Sequence, residues 1–173
     1  MDGTTNTPWT EVAAEPFDAA ETQPVGETVW PAKEGDLVSQ DGIDVLRQAG
    51  LRPTRQRLML GALLFSNGGC HVTADKIYNA AVEANMPISR ATVYNTLNQF
   101  TDAGLLRQIG VDGSKSFFDT NPTTHHHFFV DQEDRLFDVP EPGVLIETLP
   151  EPLPGYEISA VDVVVHLRRK QQG

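Results

Sequence analysis

The chain has 173 residues, of which 39% are apolar and 21% are charged, and its formal net charge is −11 at pH 7. This length fits one domain or two small ones. The single cysteine excludes an internal disulfide and a thiolate zinc cage, and no apolar run approaches the roughly 20 residues of a membrane span. The N-terminus lacks the basic start and apolar core of a secretory signal, so we expect cytoplasmic residence and no membrane partner.

The charge is unevenly distributed along the chain. The net charge is −7 in residues 1–40, +2 in residues 41–110 and −6 in residues 111–173. Phosphate binding depends on Lys and Arg, so only the middle segment, with three Arg in the run 51-LRPTRQR-57, is suited to nucleic acid. Residues 1–40 have neither a helical nor a strand period and are predicted to form a mostly disordered acidic arm.

Four helices are predicted after this arm. The first is short and is stopped by Gly50. The second begins at Pro53 and is ended by the Asn-Gly-Gly sequence at 67–69. Thr73 and Ser89 are suited to cap the N-termini of the third and fourth helices. In the fourth helix, Val93, Leu97 and Phe100 form an apolar face, which leaves an outer face that includes Ala91, Tyr94, Asn95 and Asn98.

A β-hairpin is predicted directly after the fourth helix. Its strands are 105–111 and 114–119, and Asp112-Gly113 is typical of a type I′ turn. Helices followed by a two-stranded ribbon predict a winged helix-turn-helix over residues 41–121, with the outer face of the last helix in the major groove. The alternative is a four-helix core with an incidental hairpin, in which Arg90, Tyr94 and Asn95 are ordinary solvated side chains.

Residues 122–170 are predicted to form a separate small α/β unit. Strands at 126–130 and 135–139 flank a polar turn, residues 144–149 suggest a short helix, and residues 156–170 suggest a further strand. One sheet with one covering helix leaves an apolar face exposed, and we expect homodimerisation to bury it. The predicted fold class is therefore α+β, with an N-terminal winged helix and a C-terminal α/β dimerisation domain.

Four of the five histidines lie at positions 71, 125, 126 and 127. On a strand, alternation places His125 and His127 on one face and His126 on the other. Together with carboxylates at Asp119 and Asp138, such imidazoles suit zinc, manganese or ferrous iron, because the set contains no sulfur. A neighbouring imidazole pair would equally suit axial haem ligation, and a polar turn with merely exposed histidines is the third interpretation. No GxSxG, HExxH or Walker A motif is present, so we predict that the chain is not an enzyme.

Five motifs carry a family resemblance that covers about residues 43–168: 49-AGLRPTRQRL-58, 71-HVTADKIY-78, 90-RATVYNTLNQFTDAGLL-106, 113-GSKSFFD-119 and 125-HHHFF-129. They resemble the ferric uptake regulator (Fur) family of bacterial metal-responsive repressors. The run 94-YNTLNQFTDAGLLRQ-108 and the later DTNPTTHHHFF are similar to the iron response regulator (Irr) branch in particular. The resemblance implies a homodimer that binds inverted-repeat operators in double-stranded DNA.

The resemblance also implies roles for individual residues. A regulatory divalent-metal site between the two domains is expected at His71, Asp119, His127 and Asp138, and a second metal or haem site at His125, His126, His127 and His166. The CxxC pair of many members is replaced by Val130 and Glu133, so we expect no structural zinc held by four cysteines. DNA contacts are expected from the basic run and the start of the fourth helix, at Arg52, Arg55, Arg57, Ser89, Arg90, Thr92, Tyr94 and Asn95.

In the iron response branch the triple histidine is associated with haem. The resemblance therefore suggests a repressor of iron homeostasis that is active when iron is scarce and is switched off by haem. Two alternatives stay open: a metal-dependent repressor of the same family that is indifferent to haem, and a haem or metal carrier that no longer binds DNA. A metal-dependent hydrolase is a third alternative, supported only by the His/Asp cluster.

Overall fold

The computed structural model describes residues 40–65, 70–113 and 115–170, so the predicted acidic arm up to residue 39 and the helix stop at 67–69 lie outside the described residues. The helices are α1 (Gln40–Gln48), α2 (Arg55–Phe65), α3 (Ala74–Glu83) and α4 (Arg90–Asp102). The strands are β1 (His71–Val72), β2 (Arg107–Gly110), β3 (Ser116–Asp119), β4 (His127–Val130), β5 (Arg135–Asp138) and β6 (Val164–Leu167). No helix of these described ranges is long and apolar enough to cross a membrane.

The helix ends follow local capping chemistry. The Thr73 side chain accepts a hydrogen bond from the Lys76 amide at the start of α3, and the Ser89 side chain accepts one from the Thr92 amide at the start of α4. Gly50 has a φ of 73°, a conformation that terminates helices readily because glycine has no Cβ. Helix α2 begins at Arg55, two residues later than predicted from Pro53.

The helices pack around one apolar core. Val93, Leu97 and Phe100 on α4 are fully buried, as the periodicity predicts, and they meet α2 residues that include Leu60 and Leu64. Phe118 of β3 closes this core from the side of the sheet. The core fixes α4 with Tyr94, Asn95 and Asn98 exposed on its opposite face.

The first sheet has the strand order β1-β3-β2, with both pairs antiparallel. The hairpin is present, but the predicted type I′ turn is wrong. Gly110 lies opposite Ser116, which centres the loop on Gly113 with a φ of 78°. A type I′ turn needs positive φ at two successive residues, and Asp112 does not have it.

The second sheet has the order β5-β4-β6, in which β4 is antiparallel to β5 and parallel to β6. The predicted helix at 144–149 is wrong, because these residues are irregular, and the predicted strand at 156–170 shrinks to β6. Six residues without a buried partner surface cannot offset the cost of helix nucleation. The region instead exposes large apolar side chains, at Leu145, Leu149, Leu153, Tyr156 and Ile158.

The two sheets pack against each other through a small second core. Ile109 and Phe117 from the first sheet contact Phe129 and Leu136 from the second, and all four are buried. The rings of Phe117 and Phe129 are edge-on, with centroids 5.9 Å apart. This contact brings the end of β3 close to the start of β4 and the end of β5, where the candidate site lies.

Candidate functional site

Five side chains with metal-binding atoms converge where the two sheets meet. They are His71 on β1, Asp119 at the end of β3, His125 just before β4, His127 at the start of β4 and Asp138 at the end of β5. One ligand atom from each lies within 4.8 Å of all the others. The strand register explains the convergence, because His71 lies opposite Asp119 in the first sheet and His127 lies opposite Asp138 in the second.

The three imidazole Nε2 atoms surround one oxygen from each carboxylate. Asp119 Oδ2 is 3.1 Å from Nε2 of His125, 3.5 Å from that of His127 and 3.7 Å from that of His71. Asp138 Oδ1 is 2.9 Å, 3.1 Å and 3.8 Å from Nε2 of His71, His125 and His127, respectively. Adjacent ligands on one ion with bonds of about 2.1 Å stand about 3 Å apart. The separations are therefore close to those of ligands that share one ion.

Several of these atoms are buried without a hydrogen-bond partner. Asp119 is 1% exposed and His127 is fully buried. Among the described residues, His71 Nε2, Asp119 Oδ2 and both ring nitrogens of His127 make no hydrogen bond. Burying polar atoms without hydrogen bonds costs free energy. A cation at the centre of the cluster would pair with the nitrogen and oxygen atoms that face it. Imidazole and carboxylate donors without sulfur suit divalent manganese, iron or zinc.

The electrostatics of the cluster couple acids and bases. The carboxylates of Asp119 and Asp138 raise the pKa of His125 to about 10. Burial alone would raise the pKa of both carboxyls, but the neighbouring imidazoles outweigh it and hold each pKa below its usual range. Burial lowers the pKa of His127, which keeps that ring neutral and available as a ligand. The metal-free cluster is thus built around one charged His125 between two carboxylates.

The structure groups the histidines differently from the two sites that the family resemblance implies. All four residues expected at the interdomain site are together, and His125, expected at the second site, joins them. As alternation predicts, His126 lies off this cluster, and its Nδ1 accepts a 3.4 Å hydrogen bond from the Val163 amide. His166 pairs with Asp131 at 2.9 Å instead. The structure therefore does not bring the expected second set together, because two of its histidines are committed to the five-residue cluster.

Arg107 is a residue of this region that the sequence reasoning missed. Its guanidinium donates to the backbone carbonyls of Thr123 at 2.9 Å and His125 at 3.2 Å, and it forms an ion pair with Asp162. The side chain is only 14% exposed. It thereby fixes the backbone that carries His125 to strand β2. The only sequence signal is an isolated charge inside the apolar run 105–111.

The predicted DNA-contacting residues fall into two groups. Arg52, Arg55, Tyr94 and Asn95 are exposed, with Tyr94 at 45%, and they are available to a partner. Thr92 is half-buried in the first turn of α4. Ser89 is exposed but already works as the cap of α4, where its hydroxyl oxygen lies 3.1 Å from the Thr92 amide nitrogen.

The other two predicted contacts are engaged within the protein. Arg90 pairs with Asp75 of α3, and its guanidinium lies 4.3 Å from the centre of the Tyr78 ring. Arg57 donates to Gln99 of α4 and to the backbone carbonyl of Arg52. Sequence alone placed no acid near the start of α4, and the fold brings Asp75 there. These two arginines link elements of the winged helix.

Comparison with known proteins reveals close counterparts. Residues 48–164 match the family model described as the ferric uptake regulator family. The chain is 35% identical over 121 residues to the peroxide-responsive repressor PerR of Staphylococcus aureus, covering 69% of this chain and 81% of that protein. It is 33% identical over 102 residues to the ferric uptake regulation protein of Haemophilus influenzae, covering 58% of this chain and 70% of that protein.

A solved structure is similar over most of the described fold. The ferric uptake regulator of Pseudomonas aeruginosa with manganese superposes with a TM-score of 0.57 and 25% sequence identity. The match covers 74% of this chain and 97% of that one. It supports the α+β architecture of N-terminal helices followed by a dimerisation sheet.

Proposed function

Because the chain belongs to the ferric uptake regulator family, we propose that it is a metal-responsive repressor that binds operator DNA as a homodimer, with the five-residue cluster as its regulatory site. The observation that carries this proposal is the cluster itself, since buried imidazole and carboxylate atoms without hydrogen bonds face one another there. Regulators of this family are not enzymes, which agrees with the missing catalytic motifs. Of the sites predicted from the sequence, these observations favour the interdomain site for divalent manganese, iron or zinc.

The ligands come from both sides of the sheet contact. His71 and Asp119 belong to the first sheet, whose strand β3 also packs against the helical core, whereas His127 and Asp138 belong to the second sheet. A bound divalent metal supplies positive charge that balances the two carboxylates. Side chains that share one ion hold their two sheets at one relative position, and this sets where α4 stands with respect to the dimer.

The exposed apolar residues of the C-terminal segment support the homodimer. Leu145 is 84% exposed, Leu153 is 72% exposed and Tyr156 is 74% exposed. Large apolar side chains that are exposed to this extent within one segment are typical of a protein interface. In a dimer, two copies of α4 are presented to the two halves of an inverted repeat.

Operator binding with and without metal tests the proposal. We expect Mn²⁺ to raise the affinity for a labelled inverted repeat by about tenfold or more over that in chelator, as measured by fluorescence anisotropy. Asp138→Asn removes one ligand charge and should abolish most of this response. Asp41→Asn, the same change at an exposed carboxyl at the start of α1 and away from the sheet contact, is the matched control and should respond like the wild type.

Two results would contradict the proposal. Equal operator affinity in Mn²⁺ and in chelator would remove the metal response. A flat anisotropy curve on every inverted repeat, together with tight metal binding, would favour the carrier without DNA binding.

A haem response of the kind implied by the iron response regulator branch is the second candidate. It is favoured by His126, the one member of the triple histidine that lies off the cluster. Because its Nδ1 accepts the Val163 amide, a haem iron would be held through Nε2. Only one cysteine is present and no Pro follows it, so a Cys-Pro haem motif does not compete for this role.

Haem titration of the Mn²⁺-loaded protein tests this candidate. We expect a ligated-haem absorption spectrum that is lost in His126→Ala and kept in Asp138→Asn, and a decrease in operator affinity when haem is added. An unchanged spectrum in His126→Ala would exclude this residue as the ligand. An operator affinity indifferent to haem would leave the metal-dependent repressor as the function.

A further inference from the structure

Arg57 makes three hydrogen bonds inside the winged helix. Its Nε and Nη2 both donate to Oε1 of Gln99, at 3.2 Å and 2.9 Å, and its Nη1 donates to the backbone carbonyl of Arg52 at 2.6 Å. Gln99 is 42 residues away in sequence, on the recognition helix α4. One side chain therefore joins α2, α4 and the loop between α1 and α2.

The loop that Arg57 holds connects α1 to α2 over residues 49–54. Its ends are anchored, because the Leu51 amide donates to the Leu46 carbonyl at 2.8 Å and the Thr54 hydroxyl accepts from the Arg57 amide at 3.4 Å. Between them, Pro53 lacks an amide donor. Arg52 carries an exposed guanidinium that makes no hydrogen bond or ion pair within the described residues. Its carbonyl is the one polar group of this residue that Arg57 fixes. The bonds from Arg57 to Gln99 and to the Arg52 carbonyl therefore link the middle of this loop to α4.

We propose that Arg57 is a positioning residue and not a phosphate contact: Gln99 fixes its guanidinium, which in turn holds the Arg52 loop in register with the recognition helix. This inference rests on the proposed DNA-binding function. Three of the five N–H donors of the guanidinium are used on protein acceptors, so the protein itself sets its orientation before any DNA is bound. A pre-formed loop lowers the ordering cost when Arg52 engages DNA.

The interaction between Arg57 and Gln99 is tested without DNA. The Arg57 Nε–H signal in ¹⁵N NMR should show restricted motion in the wild type and fast motion in Gln99→Ala. Gln99 is exposed, so its replacement should leave the thermal unfolding midpoint nearly unchanged. Gln99→Glu keeps an acceptor for Arg57 and should retain the restricted motion. Equal mobility of Arg57 in the wild type and in Gln99→Ala would overturn the proposal.

Operator binding then separates positioning from phosphate binding. We expect Gln99→Ala to weaken operator binding roughly fivefold, because a hydrogen bond to a charged group is removed and the loop must be ordered on binding. Arg57→Lys should weaken binding as much as Arg57→Ala, since an ammonium cannot reproduce the guanidinium fork. Arg47→Lys, at an exposed arginine of α1 that is not among the predicted DNA contacts, is the matched control and should bind like the wild type.

The salt dependence of operator binding gives a second readout. Removing one phosphate-binding cation reduces the slope of log affinity against log salt by about 0.9, so a substitution that removes one from each subunit of a dimer reduces it by about 2. Gln99→Ala and Arg57→Ala should keep the wild-type slope, because neither removes a phosphate contact and Arg52 still reaches the DNA once the complex has formed. Wild-type affinity in Arg57→Lys, or a slope of Arg57→Ala reduced with no effect of Gln99→Ala, would overturn the proposal. A wild type that binds no operator would refute the proposed function, and the NMR measurement would still decide whether Gln99 fixes Arg57.

Discussion

Asp119 and His127 are almost completely enclosed, yet their inward-facing atoms make no hydrogen bond among the described residues. Residue type and alternation along the chain were enough to place His125 and His127 on one side and to suggest a metal. They could not show that His71, about 50 positions earlier, faces the same point, because that depends on its pairing with Asp119 across the first sheet. Only the family resemblance linked these residues. It assigned His125 to a separate site, whereas His125 Nε2 lies 3.1 Å from Asp119 Oδ2 in the five-residue cluster.

Metal binding at the cluster should release a proton. The two carboxylates raise the pKa of His125 to about 10, so in the metal-free protein this imidazole is protonated at neutral pH and must lose its proton to become a ligand. Metal affinity should therefore rise by about tenfold for each pH unit between pH 7 and 9. Calorimetry in two buffers of different ionisation enthalpy should report release of about one proton per ion.

The same pKa shift determines how the stability of the metal-free protein changes with pH. A raised pKa means that the ion pairs of His125 stabilise the fold fully below its ordinary pKa of about 6.5 and are lost as pH rises through about 10.

Metal affinity that does not change between pH 7 and 9 would contradict a protonated His125. Asp134→Asn should leave the proton release unaltered, because this carboxyl lies outside the cluster.

At the scale of elements, periodicity and capping residues predicted the helices well. The apolar spacing of α4 and the caps Thr73 and Ser89 are local properties, and they appear as predicted. Strand β1 was missed because two residues carry no periodic pattern, and it exists only through its partner β3. In the C-terminal segment, more regular structure was predicted than is present. Its apolar residues suggested a helix and a long strand, but they are exposed and do not pack in a core.

Loss of the α4 cap should destabilise the fold. In Ser89→Ala the Thr92 amide loses its acceptor, which should lower the free energy of unfolding by about 1 kcal/mol, as measured by chemical denaturation. Ser159→Ala, at an exposed serine outside the helices, should change it by less than about 0.5 kcal/mol. Equal denaturation midpoints for Ser89→Ala and the wild type would show that the cap contributes nothing.

At the scale of the whole molecule, the two sheets are joined at both ends of their contact. The five-residue cluster lies at one end, and at the other Lys115 of the wing pairs with Asp134 of the β4–β5 turn at 3.1 Å. The apolar contact through Phe117 and Phe129 lies between them. The β2–β3 hairpin and the three strands of the second sheet could be anticipated from their own segments. Their mutual packing could not, because it depends on side chains more than ten residues apart with no shared pattern.

Under the proposed function, this arrangement couples metal binding to DNA binding. If the cluster fixes the position of α4, the operator should favour the same state that the metal favours. By thermodynamic linkage, the factor by which metal changes operator affinity must equal the factor by which operator changes metal affinity.

The most direct test is the affinity of the protein for Mn²⁺ with and without its operator, followed by the electron paramagnetic resonance signal of free Mn²⁺. We predict that saturating operator raises Mn²⁺ affinity by about tenfold or more, by the same factor as Mn²⁺ raises operator affinity, and that Asp138→Asn loses both effects. An Mn²⁺ affinity that is the same with and without operator would contradict the account, because the cluster would then not be coupled to DNA binding.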